Sequence, residues 1–384
     1  MIVEAKSGFA CGEEDPDGIF QMRMNNVTRS GGLDLAKKRY VPASHKSVAS
    51  TYLSPGDVLF NATNSPDLVG KSLVIPELGE PTVFSNHFLR LRTDVEQMLP
   101  SYLAHWLQEQ FQRGVFKARC KQWVNQATVS RETLLGILLP VPSLAVQHEI
   151  VSVLDCVDAL RTKRRETLAL LEGLTQSVFR ETFGDLLAEG AYPVKRLAEW
   201  VDAQRPITYG ILKPGEHQPD GVPYVRVADM KAGGIDVSGV RRTTPEISRQ
   251  YKRSSLQAGD ILMSIRGHVG RFALVPESLK GANITQDSAR LAVSVESARY
   301  VMEFLRTRSS QNWMAQRTKG AAVKGINLGD IKVMEIPEPP VELQKKFSGQ
   351  ADEIDRLVSL QRTHLSELDA LFAALQYRAF NSEP

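Results

Sequence analysis

The chain contains two copies of one sequence pattern, and each copy ends in a long segment with heptad spacing. The first copy has Gly56-Asp57-Val58-Leu59 within residues 53–60, and the second has Gly259-Asp260-Ile261-Leu262 within residues 256–263. Further matches join residues 70–76 to 270–276, and Pro140-Val-Pro142 with Gln147 to Pro337-Glu-Pro339 with Gln344. A repeat of this length indicates a duplicated domain, since solenoid units span about 20–50 residues. We therefore predict two similar domains, an arrangement that fits a target in two parts.

The composition excludes several classes of protein. At 384 residues, 42% hydrophobic and 24% charged, the chain resembles an ordinary soluble protein with room for two or more domains. No apolar run is long enough to span a bilayer, and the first residues lack the pattern of a signal peptide. Cys11, Cys120 and Cys156 are far apart and odd in number, which predicts neither a disulfide framework nor a zinc site. We expect a reducing cytoplasm, no membrane contact, and no metal or cofactor.

Basic residues concentrate in one acid-free window of each copy, although the net charge of +3 is too small to indicate a nucleic-acid partner by itself. Each window includes a tryptophan, Trp123 or Trp313, and the windows occupy matching places. A single basic stretch is usually a solvated face, but two at matching places favour phosphates, which attract Lys and Arg and repel carboxylates. The basic residues are Arg113, Lys117, Arg119, Lys121 and Arg131 in the first window, and Arg306, Arg308, Arg317, Lys319 and Lys324 in the second.

Turn residues and periodicity predict the domain organisation. Short β patterns such as residues 57–60 and 88–91 are broken by Gly, Pro and Asn, and a helical pattern follows over residues 101–116. We predict an α+β fold with two recognition domains of mixed β-structure and helices, separated by a two-helix antiparallel coiled coil and related by a pseudo-twofold repeat. The predicted segments are residues 1–143, 144–186, 187–340 and 341–384.

The two long helices show an apolar period of 3.5 over about five heptads, which is typical of a coiled coil. Both heptad lines are polar near the middle at the same places in the two copies, at Arg164 and Thr167 and at Gln361 and His364. The alternative is a core helix packed on its own domain, against which the length and the shared polar centre count. The predicted seam consists of Ile150, Val157, Leu171, Val178, Ile354, Leu357, Leu368 and Leu371.

The order of these segments predicts a shape. The first helix leads away from the first domain for roughly 50 Å at 1.5 Å per residue, and the second domain begins where it ends. Packing the second helix back on the first makes the pair antiparallel, with a domain at each end. Two readers about one turn of duplex apart, roughly 34–36 Å, would address two half-sites.

Several further runs resemble the specificity subunit of type I restriction-modification systems, and the likeness covers nearly the whole chain. No single motif is decisive, but their doubled order, followed each time by Pro-x-Pro, Gln and a heptad helix, is specific. The runs are residues 7–12, 23–27, 56–66, 69–71 and 125–126 in the first copy, and 209–211, 223–229, 259–267, 269–271, 283–287 and 324–327 in the second.

The resemblance implies a subunit without catalytic activity. Each domain would read one half of a bipartite, asymmetric site in double-stranded DNA, and the helices would fix the unread gap. The subunit would dock two adenine-N6 methyltransferase subunits, joined by ATP-driven restriction subunits that carry the cleavage chemistry. One departure is that the second copy has a lead-in, residues 193–200, before residues 209–211, whereas the first copy begins almost at the equivalent residues 7–9. About a dozen residues of the second copy are therefore expected to have no counterpart in the first.

Candidate readers lie in loops just after predicted strands, where a rigid scaffold presents side chains. Base edges are read by paired donors and acceptors, Arg to guanine and Asn or Gln to adenine. The alternative for the Asn-rich runs is a turn with capped backbone groups. Asp57 and Asp260 are expected to hold turns, and the two tryptophans to pack on the scaffold. The candidates are Arg23, Asn25, Asn26, Asn61, Thr63, Asn64, Lys71, Asn86 and His87 in the first copy, and Arg226, Lys231, Arg241, Arg242, Ser264, Arg266, His268 and Arg271 in the second, with Lys117, Arg119, Lys121, Arg317, Lys319 and Lys324 for phosphates.

Two rival classes are disfavoured. An enzyme would need a Gly-rich cofactor turn, a phosphate loop or a methyltransferase Asn/Asp-Pro-Pro-aromatic motif, and the sequence has none. Asp220 with Asp229 and Lys231 imitates a nuclease, but the spacing is short and the first copy has no counterpart. The histidines lack metal-ligand spacing. A scaffold that binds only protein would not require acid-free basic windows, and a salt-dependent DNA shift would distinguish it.

Overall fold

The computed structural model describes residues 1–124, 126–188, 190–231, 234–320 and 323–381, so Asn125 of the first copy lies outside the described residues. Contacts divide the chain into two units, residues 1–164 with the segment from His364 onward, and residues 165–363. Each unit holds one α+β domain and half of each long helix. The segment boundaries predicted from the sequence stay a prediction, because this division cuts through both helices.

The first unit alternates short strands with a few helices. Its strands are β1 Ile2–Ser7, β2 Ile19–Met22, β3 Tyr40–Val41, β4 Val58–Asn61, β5 Thr63–Asn64, β6 Ser72–Val74, β7 Thr82–Phe84, β8 Phe88–Thr93, β9 Lys121–Trp123 and β10 Gln126–Thr128. Its helices are α1 Pro100–Gln112, α2 Val115–Arg119, α3 Arg131–Leu135, the first part of α4 Leu144–Ala188 and the last part of α10 Val341–Asn381.

The second unit repeats this plan. Its strands are β11 Val194–Arg196, β12 Thr208–Tyr209, β13 Val222–Val225, β14 Met230–Lys231, β15 Gly234–Ile235, β16 Arg241–Thr243, β17 Ile261–Ser264, β18 Phe272–Leu274, β19 Asn283–Ile284, β20 Ser288–Leu291 and β21 Glu335–Pro337. Its helices are α5 Leu197–Trp200, α6 Pro245–Gln250, α7 Val295–Arg306, α8 Arg308–Arg317, α9 Leu328–Lys332 and part of α10 Val341–Asn381.

The main sheets of the two units have the same strand order. β1-β8-β4-β6 corresponds to β12-β20-β17-β18, and β3-β2-β7 corresponds to β16-β13-β19. The Gly-Asp motif leads into the central strand, whose residues alternate between two cores because successive side chains point to opposite faces. Val58 and Phe60 enter one core and Leu59 another, just as Ile261 and Met263 are separated from Leu262. The predicted duplication is therefore confirmed in the packing.

The Gly-Asp turn is held by its aspartate in both units. Gly56 and Gly259 have φ of 88° and 84°, a left-handed conformation that favours glycine. The Asp57 carboxylate accepts hydrogen bonds from the Ser54 amide at 2.9 Å and from Arg92. Asp260 likewise accepts from the Gln257 amide at 2.8 Å and from Arg205. The predicted structural role of the two aspartates is confirmed.

The Pro-x-Pro motif joins each domain to its long helix. The Tyr102 hydroxyl donates to the Pro140 carbonyl at 2.9 Å, and the Tyr300 hydroxyl donates to the Pro337 carbonyl at 2.8 Å. The side-chain amides of Gln147 and Gln344 reach back to the second proline of each motif, at 2.9 and 2.8 Å. The two long helices thus start from equivalent anchors.

The long helices pair start to end within each unit. In the first unit, Leu154 and Val157 near the start of α4 share a core with Phe372 near the end of α10. In the second unit, Phe179 near the end of α4 lies 5.4 Å from Phe347 near the start of α10, measured between ring centroids. This pairing confirms the antiparallel prediction. No helix in the described part of the chain is long and apolar enough to cross a membrane.

The seam prediction is wrong for Leu371, whose side chain is 47% exposed. The other seven seam positions are buried or half-buried, but Leu154, Phe179 and Phe183, which lie beside the predicted line, are buried more deeply. The reason is that both helices also pack on the domain of their unit, as Phe179 does against Tyr300 at 5.7 Å. The core-helix alternative therefore describes part of the packing.

Candidate nucleic-acid interface

In the first unit, the basic window folds onto the strand that follows the Gly-Asp motif. β5 pairs with β10, with Thr63 opposite Thr128, and β10 pairs back on β9, with Thr128 opposite Lys121. The Thr63 and Thr128 hydroxyls lie 3.1 Å apart. The sequence predicted readers and phosphate contacts separately, and the ladder places the two sets side by side.

The second unit builds the same junction with different side chains. Gly325 forms antiparallel backbone β-bridges with both Arg266 and Lys319, and the Gly267 backbone amide donates to the Lys324 carbonyl at 2.8 Å. The loop of Arg266 and His268, whose side chains are exposed, therefore lies against the loop that carries Lys319 and Lys324. Ala321 and Ala322 of this loop lie outside the described residues.

The predicted site residues fall into three groups by exposure. Arg23, Asn25, Asn86, Lys117, Arg119, Lys121, Lys231, Arg241, Arg242, Arg266, His268, Arg271, Lys319 and Lys324 are exposed. Thr63, Asn64, His87, Arg226 and Arg317 are half-buried. Asn26, Asn61, Lys71 and Ser264 are buried. A side chain needs a free polar edge to read a base, so the four buried residues are corrections to the predicted site.

Asn26 caps a turn. Its side-chain oxygen accepts a hydrogen bond from the Arg23 backbone amide at 2.9 Å. Its side-chain nitrogen donates to the Asp34 and Lys37 carbonyls, both at 2.9 Å. The matching residue of the second unit, Asp229, accepts from the Arg226 amide at the same distance. This is the turn-forming alternative, in which the side chain satisfies backbone groups.

Asn61 and Ser264 end the central strands and are also satisfied internally. The side-chain amide of Asn61 donates to the Thr63 and His87 carbonyls, each at 3.1 Å. The Ser264 hydroxyl donates to the His268 carbonyl and accepts from the Arg271 amide at 2.8 Å. Both side chains fix the loop that follows the strand, and so position its exposed residues.

Lys71 is buried and donates to the carbonyls of Met24, at 2.8 Å, and Val27. Burial lowers the pKa of its ammonium group. Arg271 occupies the matching place in the second unit but is exposed. Equivalent basic residues therefore differ in role between the units, because backbone carbonyls receive the Lys71 ammonium whereas the Arg271 side chain is exposed.

Lys117 forms an exposed ion pair with Asp67 at 2.7 Å, and this pair lowers the pKa of the Asp67 carboxyl. The two residues line a groove of about 530 Å³ that also includes Arg29. An exposed pair of this kind contributes little to stability, because solvent screens it. Lys117 is thus partly neutralised, whereas the side chains of Arg119 and Lys121 have no hydrogen-bond or ion-pair partner among the described residues.

Arg23 lies close to His87, a pairing that the sequence did not predict. Burial lowers the pKa of the His87 imidazole, and the positive charge of Arg23 lowers it further. The imidazole is therefore neutral near pH 7, with one ring nitrogen available as a hydrogen-bond acceptor. Together they place a cationic donor beside a neutral ring at the edge of the Asn61 loop.

The remaining basic residues of the second unit belong to other elements. Arg226 pairs with Asp229 at 2.6 Å, and Lys231 pairs with Asp236 at 2.7 Å. The Lys231 ammonium and the Ser238 hydroxyl lower the pKa of Asp236 to about 2. Arg241 and Arg242 lie on β16, which no described hydrogen bond joins to the Arg266 loop.

The tryptophans differ from each other. Trp313 packs against the core, and the Arg317 guanidinium lies 3.9 Å above its ring, so the predicted scaffold role is confirmed there. Trp123 is 63% exposed on β9, and the same prediction is wrong for it. Trp123 and Arg29, both exposed, were not among the DNA-binding residues predicted from the sequence. The position of Trp123 within a basic window was a signal for that residue.

Among the described residues, no group of three or more His, Cys, Asp or Glu side chains could hold a metal ion. Cys11, Cys120 and Cys156 are unpaired. The exposed groups of the two junctions are hydrogen-bond donors, acceptors and cations. Such groups can hold phosphates and read base edges.

Comparison with known proteins places the chain in a family. The family model described as the type I restriction modification DNA specificity domain matches it twice, over residues 23–171 and 208–370. The EcoBI specificity subunit of a type I restriction enzyme from Escherichia coli is 28% identical over 66% of this chain and 60% of its own length. The putative MjaX specificity subunit of Methanocaldococcus jannaschii is 22% identical over 88% of this chain and 80% of its own length.

Two solved structures share the fold. An S subunit of a type I restriction-modification system from M. genitalium has a TM-score of 0.57 at 14% identity, covering 100% of this chain and 95% of that one. A protein from a study of assembly and conformational transition of the type I R-M system has a TM-score of 0.55 at 20% identity, covering 94% and 90%. The two matched segments each contain one Gly-Asp strand with its basic window, and the chain belongs to the family of type I restriction modification DNA specificity domains.

Proposed function

We propose that this chain is the sequence-specific DNA-binding subunit of a type I restriction-modification complex, and that it reads a bipartite, asymmetric target in double-stranded DNA. The observation that carries the proposal is the junction found in both units. Loop residues after the central strand, Thr63 or Arg266, pair with the acid-free basic window of their own domain. Phosphate contacts set position and base contacts set specificity, so the two need to lie side by side.

The proposed DNA face uses only side chains that are available to a ligand. Arg23 lies close to His87 in the first unit, and the exposed Asn25 and Asn86 are near these two residues in the chain. Arg266, His268 and Arg271 belong to one loop of the second unit. Asn64 helps to hold its loop instead, because its side chain donates to the Asn61 side-chain oxygen and accepts from the Ser65 backbone amide. Arg119 and Lys121, and Lys319 and Lys324, supply the phosphate contacts. Asn26, Asn61, Lys71 and Ser264 hold the loops.

The proposed partners are two adenine-N6 methyltransferase subunits and the ATP-driven restriction subunits. The exposed apolar residues of the long helices support this part of the proposal. Val153 and Leu160 in the first unit are 43% and 47% exposed, although both fall on a heptad line. By itself the subunit performs no methyl transfer, cleavage or ATP hydrolysis, and its expected compartment is the cytoplasm, where the target DNA lies.

The direct test is a map of N6-methyladenine in the genome of the host, with and without this gene. We expect one motif of two half-sites with a fixed gap to lose methylation when the gene is deleted. The purified chain should then bind a duplex of that motif more tightly than a scrambled duplex, and should not methylate it alone. Unchanged methylation with salt-independent binding would favour a scaffold that binds only protein.

Spacer length gives a second test. Four residues inserted between Arg164 and Arg165 would add roughly 6 Å to α4 at 1.5 Å per residue. The two half-site sequences should persist, and the preferred gap should grow by about one or two base pairs of duplex, which rises about 3.4 Å per pair. Methylation at the original gap would contradict the proposed measuring role of the helices.

A further inference from the structure

The three-stranded sheet of the first unit, β5-β10-β9, has two unlike faces. Successive residues of a strand point to opposite faces, and residues directly paired across strands share a face. Ala127 is fully buried in the core of the unit, so its face is the inner one. The outer face carries the other paired residues, in which Thr63 lies opposite Thr128, Thr128 opposite Lys121, and Gln126 opposite Trp123.

This outer face ends in an aromatic ring that the fold leaves uncovered. The Trp123 side chain is 63% exposed, and the adjoining Val124 is 99% exposed. The ring of Trp313 in the second unit lies under the Arg317 guanidinium, whereas no described residue forms a ring contact or a cation–π contact with Trp123. Tryptophan is enriched at contact surfaces because it combines a large apolar ring with a polar N–H group.

The neighbours of the ring indicate which partner it meets. Lys121 shares the outer face with Trp123 and lies two residues away, which is about 7 Å at roughly 3.4 Å per residue. The side chains of Lys121 and Arg119 are exposed cations within the acid-free window. Gln126, directly opposite Trp123, is also exposed and offers an amide donor and acceptor. Cations for phosphates and an amide for a base edge surround the ring, so a nucleic-acid base is the partner that this surface fits.

We propose that Trp123 is a base-stacking residue, an inference that rests on the proposed DNA function. Its ring inserts beside one base of the half-site that the first unit reads, at a step that the protein opens, while Lys121 holds a neighbouring phosphate. Insertion of an apolar side chain unstacks one base step, and stacking of the exposed base on the ring offsets that cost. Residues 318–326, the matching loop of the second unit, include no aromatic residue. The inserted ring therefore belongs to one half-site only.

Replacing the ring by a polar side chain separates stacking from phosphate binding. Trp123→Gln should weaken binding to a duplex of the methylated motif by about tenfold or more, the size expected for loss of one stacked base. The ring carries no charge, so the slope of log K against log salt should equal that of the parent. Trp123→Phe should keep most of the affinity. Val95→Gln is the matched control, because Val95 is an apolar residue that is 61% exposed outside the basic window, and it should keep all of the affinity.

A mismatch scan tests insertion itself. A single mismatched pair, moved stepwise through both half-sites, lowers the cost of opening the step where it lies. The ratio of parental affinity to Trp123→Gln affinity should rise by about tenfold at one step of one half-site, because only the parent has a ring to insert, and should stay constant elsewhere.

Three results would overturn the inference: parental affinity in Trp123→Gln, a lowered salt slope in that variant, or the same affinity ratio at every mismatch position. A ring that serves a protein partner would give the first of these. If the parent itself binds the motif no better than a scrambled duplex, the proposed function fails as well, so the two failures are distinguishable.

Discussion

Removing the two unpaired cations of the first junction tests whether it contacts DNA. Arg119 ends α2 and Lys121 begins β9, and both are exposed. The fully buried Phe116, whose ring lies 4.9 Å from that of Phe60, anchors α2. Arg119→Gln with Lys121→Gln should therefore leave the fold and its Tm unchanged. DNA affinity should fall for all sequences alike, because phosphate contacts carry no sequence information.

The size of the effect follows from counterion release. Each phosphate contact contributes about 0.9 to the slope of log K against log salt, so losing two lowers the slope by up to about 1.8. Between 50 and 200 mM salt, that change makes the affinity of the variant about tenfold less sensitive to salt than that of the parent. Lys117 should count for less than a full contact, since Asp67 pairs with it at 2.7 Å. Asp67→Asn should free Lys117 and raise the slope by up to about 0.9.

The assay is fluorescence anisotropy on a random duplex and on the mapped target across a salt series. Arg249→Gln with Lys280→Gln is the matched control, because it removes two exposed charges that lie outside both basic windows. We expect the control to leave the slope within error of the parent. An Arg119 and Lys121 variant with the parental slope, or a control with the same loss, would refute the contact argument.

Three further predictions concern single residues. Arg266→Ala should weaken the free energy of binding to the specific target by about 1–3 kcal/mol, with little effect on binding to random DNA. Asn61→Ala should instead lower the free energy of unfolding by about 1–3 kcal/mol, because the buried carbonyls that it serves lose their donor. Anisotropy measures the first effect and denaturant titration the second. Gly210→Ala should destabilise the fold by about 1–3 kcal/mol, since a Cβ atom there would lie 1.8 Å from the Ile284 carbonyl oxygen. Gly349→Ala should stabilise the fold by about 0.5–1 kcal/mol, because a Cβ atom at this place in α10 would meet nothing within 4 Å. A Tm change of the same sign for both variants would contradict this reasoning. The lowered pKa of His87 should support folding above about pH 6.5, the value for an unfolded histidine, and this support should be lost as pH falls through the folded pKa; Tm measured from pH 8 to 5 should flatten in His87→Gln.

The repeat alone predicted much of the fold. Gly56-Asp57 and Gly259-Asp260 indicated equivalent turns, and the structure gives both the same left-handed glycine and the same carboxylate contacts. These features depend on residues close in sequence, which is why they are legible in the chain. The antiparallel helix pair followed from connectivity, since the second helix begins at the second domain.

Which polar side chains are free was decided by tertiary structure. Asn61 and Arg266 both occur in loops after a central strand, yet only the tertiary fold brings the His87 carbonyl to the Asn61 amide. Lys71 has its charge taken up by carbonyls of Met24 and Val27, far away in the chain. Leu371 fits the heptad but faces solvent, because the helices bury a second face against the domains. Sequence patterns fix the period and the local turn, whereas burial depends on contacts between distant segments, and burial determines which residues remain available to a ligand.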